Sequence, residues 1–316
     1  MTRAFPLLLL TLLLALAGCE PAPEEVRIGS NRWLGYGPLY LADELGWTGP
    51  SRIRLVEYPN TTGVIRGFRN GMLDGAMLTL DELLVLQSQN AEMDLEILLV
   101  TNVSAGADVL YARPPIGMLS ELKGHRIGVE NTALGAFFLS RILDSAGLTI
   151  ADIEVANLQV HEHLQAFRSG QIDAVVSFAS EGPALEKLGA RRVFDSRLLP
   201  DEIVDVLVVD RRRVNAQERK RLAALWYDAL RAWQENPAQT NPRLERRLGL
   251  TPEALQVTLD GLVLGDPALN RQWHEQGRLR SGVTRLASYL SGRQLLGKAS
   301  RPDELFAECQ GGRHPC

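Results

Sequence analysis

Two stretches decide the fold of this 316-residue chain: FRNGMLDGAM at residues 68–77 and FRSGQIDAVV at residues 167–176. Both begin F-R-x-G-x-(L/I)-D, and they start 99 residues apart. The same offset separates Arg27-Ile28-Gly29 from Arg126-Ile127-Gly128. A shared period near 100 residues has the length of a domain rather than of a solenoid repeat. The sequence therefore predicts two lobes of similar design.

Each copy of the motif has a structural interpretation. The glycine ends a helix in a left-handed conformation, the next apolar residue fills the core, and the aspartate caps the start of the following strand. Helices alternate with short apolar strands around each copy, which indicates parallel sheets with helical crossovers. The predicted fold class is α/β and two-lobed, with a mostly parallel, helix-flanked sheet in each lobe. A helical C-terminal tail should pack on the first lobe.

The tail and one strand give specific expectations. An apolar strand is predicted over residues 155–160, just before the second copy of the motif. The tail is predicted to hold helices over residues 216–235, 242–248, 252–262 and 270–291.

The chain is predicted to cross between the lobes twice, near residues 104–108 and 201–206. Two crossings form a hinge, and a hinge creates a cleft. The predicted organisation is a signal peptide (1–18), a lipidated tether (19–25), lobe I (26–103 plus 207–316) and lobe II (104–206).

The N-terminus indicates export. After Arg3 comes an apolar run over residues 5–17, which is short for a membrane span but typical of a signal peptide. It ends in Leu16-Ala17-Gly18-Cys19, which resembles the bacterial lipobox, in which the cysteine is lipidated and becomes the mature N-terminus. The alternative is an ordinary signal peptide with an incidental cysteine. Glu20 rather than aspartate follows Cys19, which resembles the sorting signal for the outer membrane.

The other two cysteines, Cys309 and Cys316, lie at the extreme C-terminus. Exported proteins meet an oxidising compartment, so these thiols are predicted to form a disulfide that closes a small loop. The alternative is two free thiols on the tail.

Motifs for catalysis or for nucleic-acid binding are missing from the sequence. The net charge is −4 and there is no basic run, so no nucleic-acid partner is expected. There is no Walker motif, and no catalytic residue or cofactor is predicted. His161 and His163 form H-x-H, which we interpret as polar residues at a helix start rather than as metal ligands, so no metal site is predicted.

Several motifs resemble one known family. They are WLGYGPLYLA at 33–42, SAGAD at 104–108, LKGHRIGV at 122–129 and GQIDA at 170–174. Together they resemble the nitrate/sulfonate/taurine-type (thiamine-pyrimidine-precursor-like) substrate-binding proteins of ABC importers, over about residues 26–213. The resemblance implies a solute-binding lipoprotein that captures a small organic molecule in an interlobe cleft and delivers it to an ABC permease and ATPase.

The signal peptide, the lipobox and Glu20 predict a protein that is anchored through Cys19 in the periplasm or at the cell surface, and on the outer membrane if there are two. It is expected to be a monomer. Two alternatives stay open: a periplasmic ligand sensor for a membrane signalling protein, and a pyrimidine-synthase-like enzyme. Export and lipidation argue against the enzyme, so the chain is predicted not to be one.

The ligand site is predicted where the carboxyl ends of the strands face the cleft. Thirteen residues are predicted to line it: Ser30, Asn31, Arg32, Trp33, Tyr36, Thr79, Asp81, Glu130, Asn131, Thr132, Ser177, Ser180 and Glu181. Trp33 and Tyr36 offer flat apolar faces suited to an organic solute, although packing beneath its loop is an equal alternative for Trp33. The acidic residues favour a solute with an amine or ring nitrogen. Helix N-termini near Thr62 and Thr132 would instead suit an anion, as sulfonate-binding relatives imply.

Overall fold

The computed structural model describes residues 25–297 and 300–306. The predicted signal peptide, Cys19, Cys309 and Cys316 lie outside the described residues. Among the helices that are described, none combines the length and the apolar character needed to cross a membrane.

The described strands are, in chain order, β1 (Val26–Ser30), β2 (Ile53–Glu57), β3 (Gly75–Thr79), β4 (Leu95–Ser104), β5 (Asp108–Ala112), β6 (Arg126–Val129), β7 (Glu154–Asn157), β8 (Ala174–Phe178), β9 (Arg191–Asp195), β10 (Val204–Asp210) and β11 (Leu262–Leu264). They form two sheets. The first has the order β11-β4-β10-β3-β1-β2 and the second has the order β7-β6-β8-β5-β9.

Most strands of each sheet run in one direction. In the first sheet β1 pairs in parallel with β2 and β3, whereas β10 is antiparallel to β3 and β4, and β11 is antiparallel to β4. In the second sheet β6 pairs in parallel with β7 and β8, and β5 is antiparallel to β8 and β9. Four of six strands and four of five strands therefore share a direction. The predicted α/β fold with two mostly parallel sheets is confirmed, with antiparallel strands added to each sheet.

The described α-helices are α1 (Gly37–Glu44), α2 (Thr61–Arg69), α3 (Leu80–Gln89), α4 (Ala133–Ala146), α5 (Val160–Ser169), α6 (Gly182–Lys187), α7 (Ala216–Glu235), α8 (Pro237–Leu248), α9 (Pro252–Leu259), α10 (Pro267–Glu275) and α11 (Arg278–Gly292). They flank the sheets. Helix α7 packs on α1 through the fully buried Trp226.

Four sequence predictions about these elements were wrong in detail. The helix predicted over 242–248 begins earlier, at Pro237. The strand predicted over 155–160 ends at Asn157, and α5 begins at Val160. The helix predicted over 252–262 ends at Leu259 and is followed by β11. The helix predicted over 270–291 is two helices, because Gly277 takes a left-handed conformation with φ of 63° and begins a new one.

The two copies of the duplicated motif make the same contacts. The backbone N–H of Arg27 donates to Asp74 at 2.9 Å, and that of Arg126 donates to Asp173 at 3.0 Å. In return, the N–H of each aspartate donates to the carbonyl of the same arginine at 2.8 Å. The prediction that Asp74 and Asp173 occupy equivalent places is therefore confirmed.

The glycines of the repeated R-I-G sequence have a packing reason. A Cβ on Gly29 would lie 2.3 Å from Leu73, and a Cβ on Gly128 would lie 2.7 Å from Ile172. Leu73 and Ile172 are the fully buried apolar residues of the duplicated motif. In each half, the first strand needs a glycine because the motif's apolar side chain presses directly against it.

Two connections join the sheets, residues 105–107 after β4 and residues 196–203 before β10. Ser196 ties them together, because its Oγ lies 2.7 Å from Ser104 Oγ and accepts the Gly106 N–H at 2.7 Å. The N–H of Ser104 donates to Ile203 at 2.9 Å. These short bonds place both connections side by side at the base of the space between the sheets.

Candidate functional site

The carboxyl ends of strands from both sheets surround a cavity of about 610 Å³, which we call the outer chamber. Residues following β1, β2, β6, β7 and β8 line it, together with the turn between α8 and α9. The lining residues are Asn31, Arg32, Trp33, Leu34, Glu57, Tyr58, Pro59, Asn60, Glu130, Gln159, Val160, His161, Phe178, Ser180, Glu181, Leu248, Gly249, Leu250 and Thr258. Its volume is typical of a site for a small organic molecule.

A second cavity of about 40 Å³ adjoins the first, and we call it the inner chamber. Its lining residues are Asn31, Arg32, Trp33, Tyr36, Thr61, Thr79, Glu82, Asp108, Glu130, Thr132, Leu134, Phe178, Ile203 and Asp205. Because five residues line both chambers, the inner chamber is a continuation of the outer one toward the connections between the sheets. It has space for a small polar group but not for a whole organic solute.

Two aromatic rings meet where the chambers join. Trp33, from the loop after β1, and Phe178, at the end of β8, have ring centroids 5.1 Å apart and planes inclined at 48°. Trp33 follows a strand of the first sheet and Phe178 ends a strand of the second, and both rings line both chambers. A solute that extends from the outer to the inner chamber would pass these rings.

The structure brings nine of the thirteen predicted ligand residues to the chambers. Asn31, Arg32, Trp33, Glu130, Ser180 and Glu181 line the outer chamber, and Tyr36, Thr79 and Thr132 line the inner one. That these residues contact a solute stays a prediction.

The other four predicted residues do not line either chamber. Ser30 is fully buried and its hydroxyl donates to Asn31 O, whereas Asp81 is buried behind the inner chamber at the start of α3. Ser177 contacts the buried ring of His163, with Oγ 3.0 Å from Nδ1, because neighbouring residues of a strand face opposite sides and Phe178 faces the cleft. Asn131 is exposed and lines a separate groove on α4.

Several lining residues were missed by sequence reasoning. Asn60 and Gln159 are 99 residues apart, so the duplication itself could have found them. His161 lies with His163 in the first turn of α5, as the interpretation of H-x-H expected, and it reaches the outer chamber. Asp108 ends the SAGAD motif and Asp205 lies at the predicted second crossing, but no sequence signal marked either one as a residue that lines a site.

Burial raises the pKa of the carboxyl groups around the inner chamber. It raises the pKa of Asp108 and of Asp205 to about 7, against the lowering effect of side-chain hydrogen bonds from Ser104 and Tyr36, respectively. Burial also raises the pKa of Asp81 to about 6 and that of Glu82 well above its usual range. Repulsion between neighbouring carboxylates adds to the rise for Glu82, Asp108 and Asp205. At neutral pH, Asp108 and Asp205 are therefore near the midpoint of their titration, and a cation beside them would favour their charged forms.

Two more carboxyl groups of the cleft, and one tyrosine, also have raised pKa values. Burial raises the pKa of both Glu130 and Glu181 on the second-sheet side of the cleft. Burial also raises the pKa of Tyr36 well above its usual range, so its hydroxyl stays protonated and donates to Asp205 Oδ1 at 2.6 Å.

Arg32 is the basic side chain that lines both chambers, and it is already paired. Its Nε lies 2.7 Å from Glu57 Oε1. The other oxygen of Glu57 lies 2.8 Å from Nη1 of Arg247, on α8. The loops after β1 and β2 are thus held to the tail by an Arg–Glu–Arg group.

A direct hydrogen bond closes the cleft at its edge. Nδ2 of Asn60, which caps α2, donates to Oε1 of Gln159, which caps α5, at 3.0 Å. These equivalent positions of the two halves therefore meet across the cleft. A bond of this kind exists only when the sheets are close together.

Replacing Gln159 by alanine is expected to speed solute release by about 2–10-fold, because a net hydrogen bond of this type contributes about 0.5–1.5 kcal/mol to the closed state. Stopped-flow tryptophan fluorescence on dilution of the solute-bound protein would measure the release rate. Gln171→Ala, an exposed glutamine outside the chambers, is the matched control. Equal release rates in the two variants would contradict a role for the bond in closure.

Comparisons with known proteins identify the family. A model of the NMT1-like family matches residues 20–243, and the chain belongs to this family. It is 28% identical over 161 residues to the putative aliphatic sulfonates-binding protein of Escherichia coli (strain K12), covering 49% of this chain. The match spans about half the length of that curated relative, 49%.

Solved structures share the fold over nearly the whole chain. The alkanesulfonate-binding protein SsuA from Xanthomonas axonopodis pv. citri, bound to MOPS, matches with a TM-score of 0.75 and 21% identity, over 91% of this chain and 99% of that one. The periplasmic aliphatic sulphonate binding protein SsuA from Escherichia coli matches with a TM-score of 0.74 and 19% identity, over 93% and 96%. The chain thus has the fold of periplasmic substrate-binding proteins.

Proposed function

We propose that this member of the NMT1-like family captures a small organic solute in the outer and inner chambers and delivers it to an ABC importer. The observation that carries the proposal is the cleft itself, about 610 Å³ in volume and lined by strand ends from both sheets. The names of the sulfonate-binding relatives support solute capture as the shared task.

Closure is the second part of the proposal. Residues 26–103 with 207–316, and residues 104–206, act as two lobes that close on the solute. The boundary at 206 falls inside β10, whose first residues pair with β4, so the flexible part of the return connection would be residues 196–203. A solute in contact with both Trp33 and Phe178 would then stabilise the closed arrangement.

The test is to purify the exported protein without added solute and examine it by native mass spectrometry. We expect one small organic molecule per chain, released unchanged on denaturation, because a binding protein returns its ligand without turnover. Uptake of that molecule should be lost in cells lacking this chain. Wild-type protein should restore uptake, and Trp33→Ala should not. A protein that holds no molecule, or converts it, would contradict the proposal.

We further propose that the chain is a lipoprotein of the periplasm or cell surface, acting as a monomer with an ABC permease and ATPase. The disulfide between Cys309 and Cys316 is part of the same proposal, since it requires export. In a bacterium with two membranes, Glu20 after the lipidated cysteine favours sorting to the outer membrane.

Replacing Cys19 by serine is expected to move the protein from the membrane to the soluble fraction, because serine cannot accept the thioether-linked lipid that provides stable attachment. Cell fractionation and immunoblotting would measure the change. Cys316→Ser, which removes a thiol without removing the lipid site, should stay with the membrane. Membrane association of the Cys19 variant would argue for an ordinary signal peptide instead.

A further inference from the structure

The inner chamber concentrates carboxylates to which no cation of the described chain is paired. Glu82, Asp108 and Asp205 line it, and Asp81 is the neighbour of Glu82 in the first turn of α3. None of the four side chains is more than 3% exposed. Within residues 25–297 and 300–306, no ion pair involves any of them. Buried carboxylates without a partner are costly, so their grouping requires an explanation.

Two of the four are compensated by the helix on which they lie. Asp81 and Glu82 are in the first turn of α3, where the helix dipole favours negative charge, and Glu82 accepts the Thr79 N–H at 3.1 Å. Asp108 and Asp205 lie on β5 and β10 and have no such support. Neutral donors give what support there is, from Ser104 to Asp108 and from Tyr36 and Trp33 to Asp205. The unexplained charge of the inner chamber therefore belongs to Asp108 and Asp205.

Oxygen atoms without a donor give a second, independent observation. Oγ1 of Thr79, which lines the inner chamber, and Oδ2 of Asp81 are buried and have no hydrogen-bond partner in the described chain. Oδ1 of Asn102 is also buried without a hydrogen-bond partner in the described chain. Asn102, on β4, is the strand partner of Asp205, on β10. All three atoms can accept hydrogen bonds. An N–H donor in the inner chamber would satisfy Thr79, which is the one of the three residues that lines it.

The opening of the inner chamber suits the same kind of group. Trp33 and Phe178 line the junction of the chambers, and aromatic side chains can bind cations through their ring faces. The chamber volume of about 40 Å³ accommodates a compact nitrogen group, with the remainder of the molecule in the outer chamber.

An anion would meet little positive charge here. Arg32 is paired with Glu57, and Glu130 and Glu181 add further acidic groups to the lining. The N-termini of α2 and α4 are nearby, and in each of them a side chain of the protein already caps the third N–H group. Asn60 accepts the Gly63 N–H, and Thr132 accepts the Gly135 N–H, each at 3.0 Å. An anion in the chambers would therefore meet carboxylates and one arginine that is already paired.

We infer that the inner chamber binds the cationic nitrogen of the solute, an ammonium or protonated ring nitrogen, between Asp108 and Asp205. This inference rests on the proposed solute-capture function and specifies its substrate class. It separates the chain from relatives whose names refer to sulfonates, although the fold and family are shared.

The test compares two equimolar mixtures on the same carbon skeletons, from short alkyl to phenylalkyl: primary amines in one and the matching sulfonates in the other. Solute-free protein is incubated with each mixture at neutral pH, and native mass spectrometry identifies the retained compound. Calorimetry then measures its affinity for the wild type, for the double variant Asp108→Asn/Asp205→Asn, and for Glu275→Gln, an exposed carboxylate on α10. Circular dichroism verifies that each variant is folded.

We expect an amine to be retained, to bind Glu275→Gln as tightly as the wild type, and to bind the double variant at least about 30-fold more weakly, as for loss of a buried charged partner. Retention of a sulfonate, or equal amine affinity in the double variant, would overturn the inference. A co-purified molecule without a cationic nitrogen would also overturn it while leaving solute capture intact. Absence of any retained or co-purified molecule would contradict the proposed function itself.

Discussion

Replacing Gly261 by alanine is expected to lower the free energy of unfolding by about 2–3 kcal/mol, as forced overpacking of a well-packed interior does. A Cβ at this position would lie 2.6 Å from Ala107 N and 2.6 Å from Gly106 C, in the first connection between the sheets. These are backbone atoms that cannot rotate away. The Gly261 carbonyl also accepts the Ala105 N–H at 2.8 Å. Urea unfolding followed by circular dichroism would measure the change.

The same substitution is expected to change solute affinity, because it displaces the connection about which the sheets close. Gly282→Ala is the matched control. Gly282 lies inside α11 with no atom within 4 Å of its would-be Cβ, so alanine there should stabilise the helix by up to about 1 kcal/mol. An unfolding free energy of Gly261→Ala equal to that of the wild type would show that the tail does not support the connection.

The duplication made the main features of the fold predictable. Gly29, Leu73 and Asp74 form one packing unit, and Gly128, Ile172 and Asp173 form the other. Residues of the same half therefore specify how its strands pack. Because the unit occurs twice at one offset, the two sheets and their strand ends followed. Strand ends in turn located Trp33, Glu130 and Glu181 at the cleft.

Residues that face the cleft from antiparallel strands could not be found in this way. Asp205 reaches the inner chamber because β10 returns from the second sheet and inserts between β3 and β4. That pairing joins segments more than a hundred residues apart, and no local pattern records it. Ser177 was misplaced for a simpler reason. On a strand, a shift of one residue moves a side chain to the opposite face, and Phe178 is the residue that faces the cleft.

Replacing Asp108 by asparagine is expected to stabilise the solute-free protein at pH 8 and to leave its stability near pH 4 almost unchanged. Burial raises the pKa of Asp108 to about 7 in the folded protein, and the nearby Asp81 carboxylate adds to the rise. Between the ordinary aspartate pKa and this value, the folded protein holds a proton that the unfolded chain has released. The stability associated with that proton is therefore lost as pH rises through about 7. Asparagine is neutral at every pH and avoids the loss.

The expected gain at pH 8 is about 1–4 kcal/mol, since each unit of pKa difference corresponds to about 1.4 kcal/mol and relaxation of the site reduces the full amount. Thermal unfolding of solute-free protein between pH 4 and pH 8 would measure it. Glu275→Gln should follow the wild-type profile throughout. An Asp108→Asn protein that is more stable but binds the solute poorly would show that the buried carboxylate serves solute binding and lowers the stability of the solute-free protein. If asparagine instead destabilises the solute-free protein at pH 8, a group of the protein itself must already compensate the charge at Asp108, and the inner chamber would need no cation from outside.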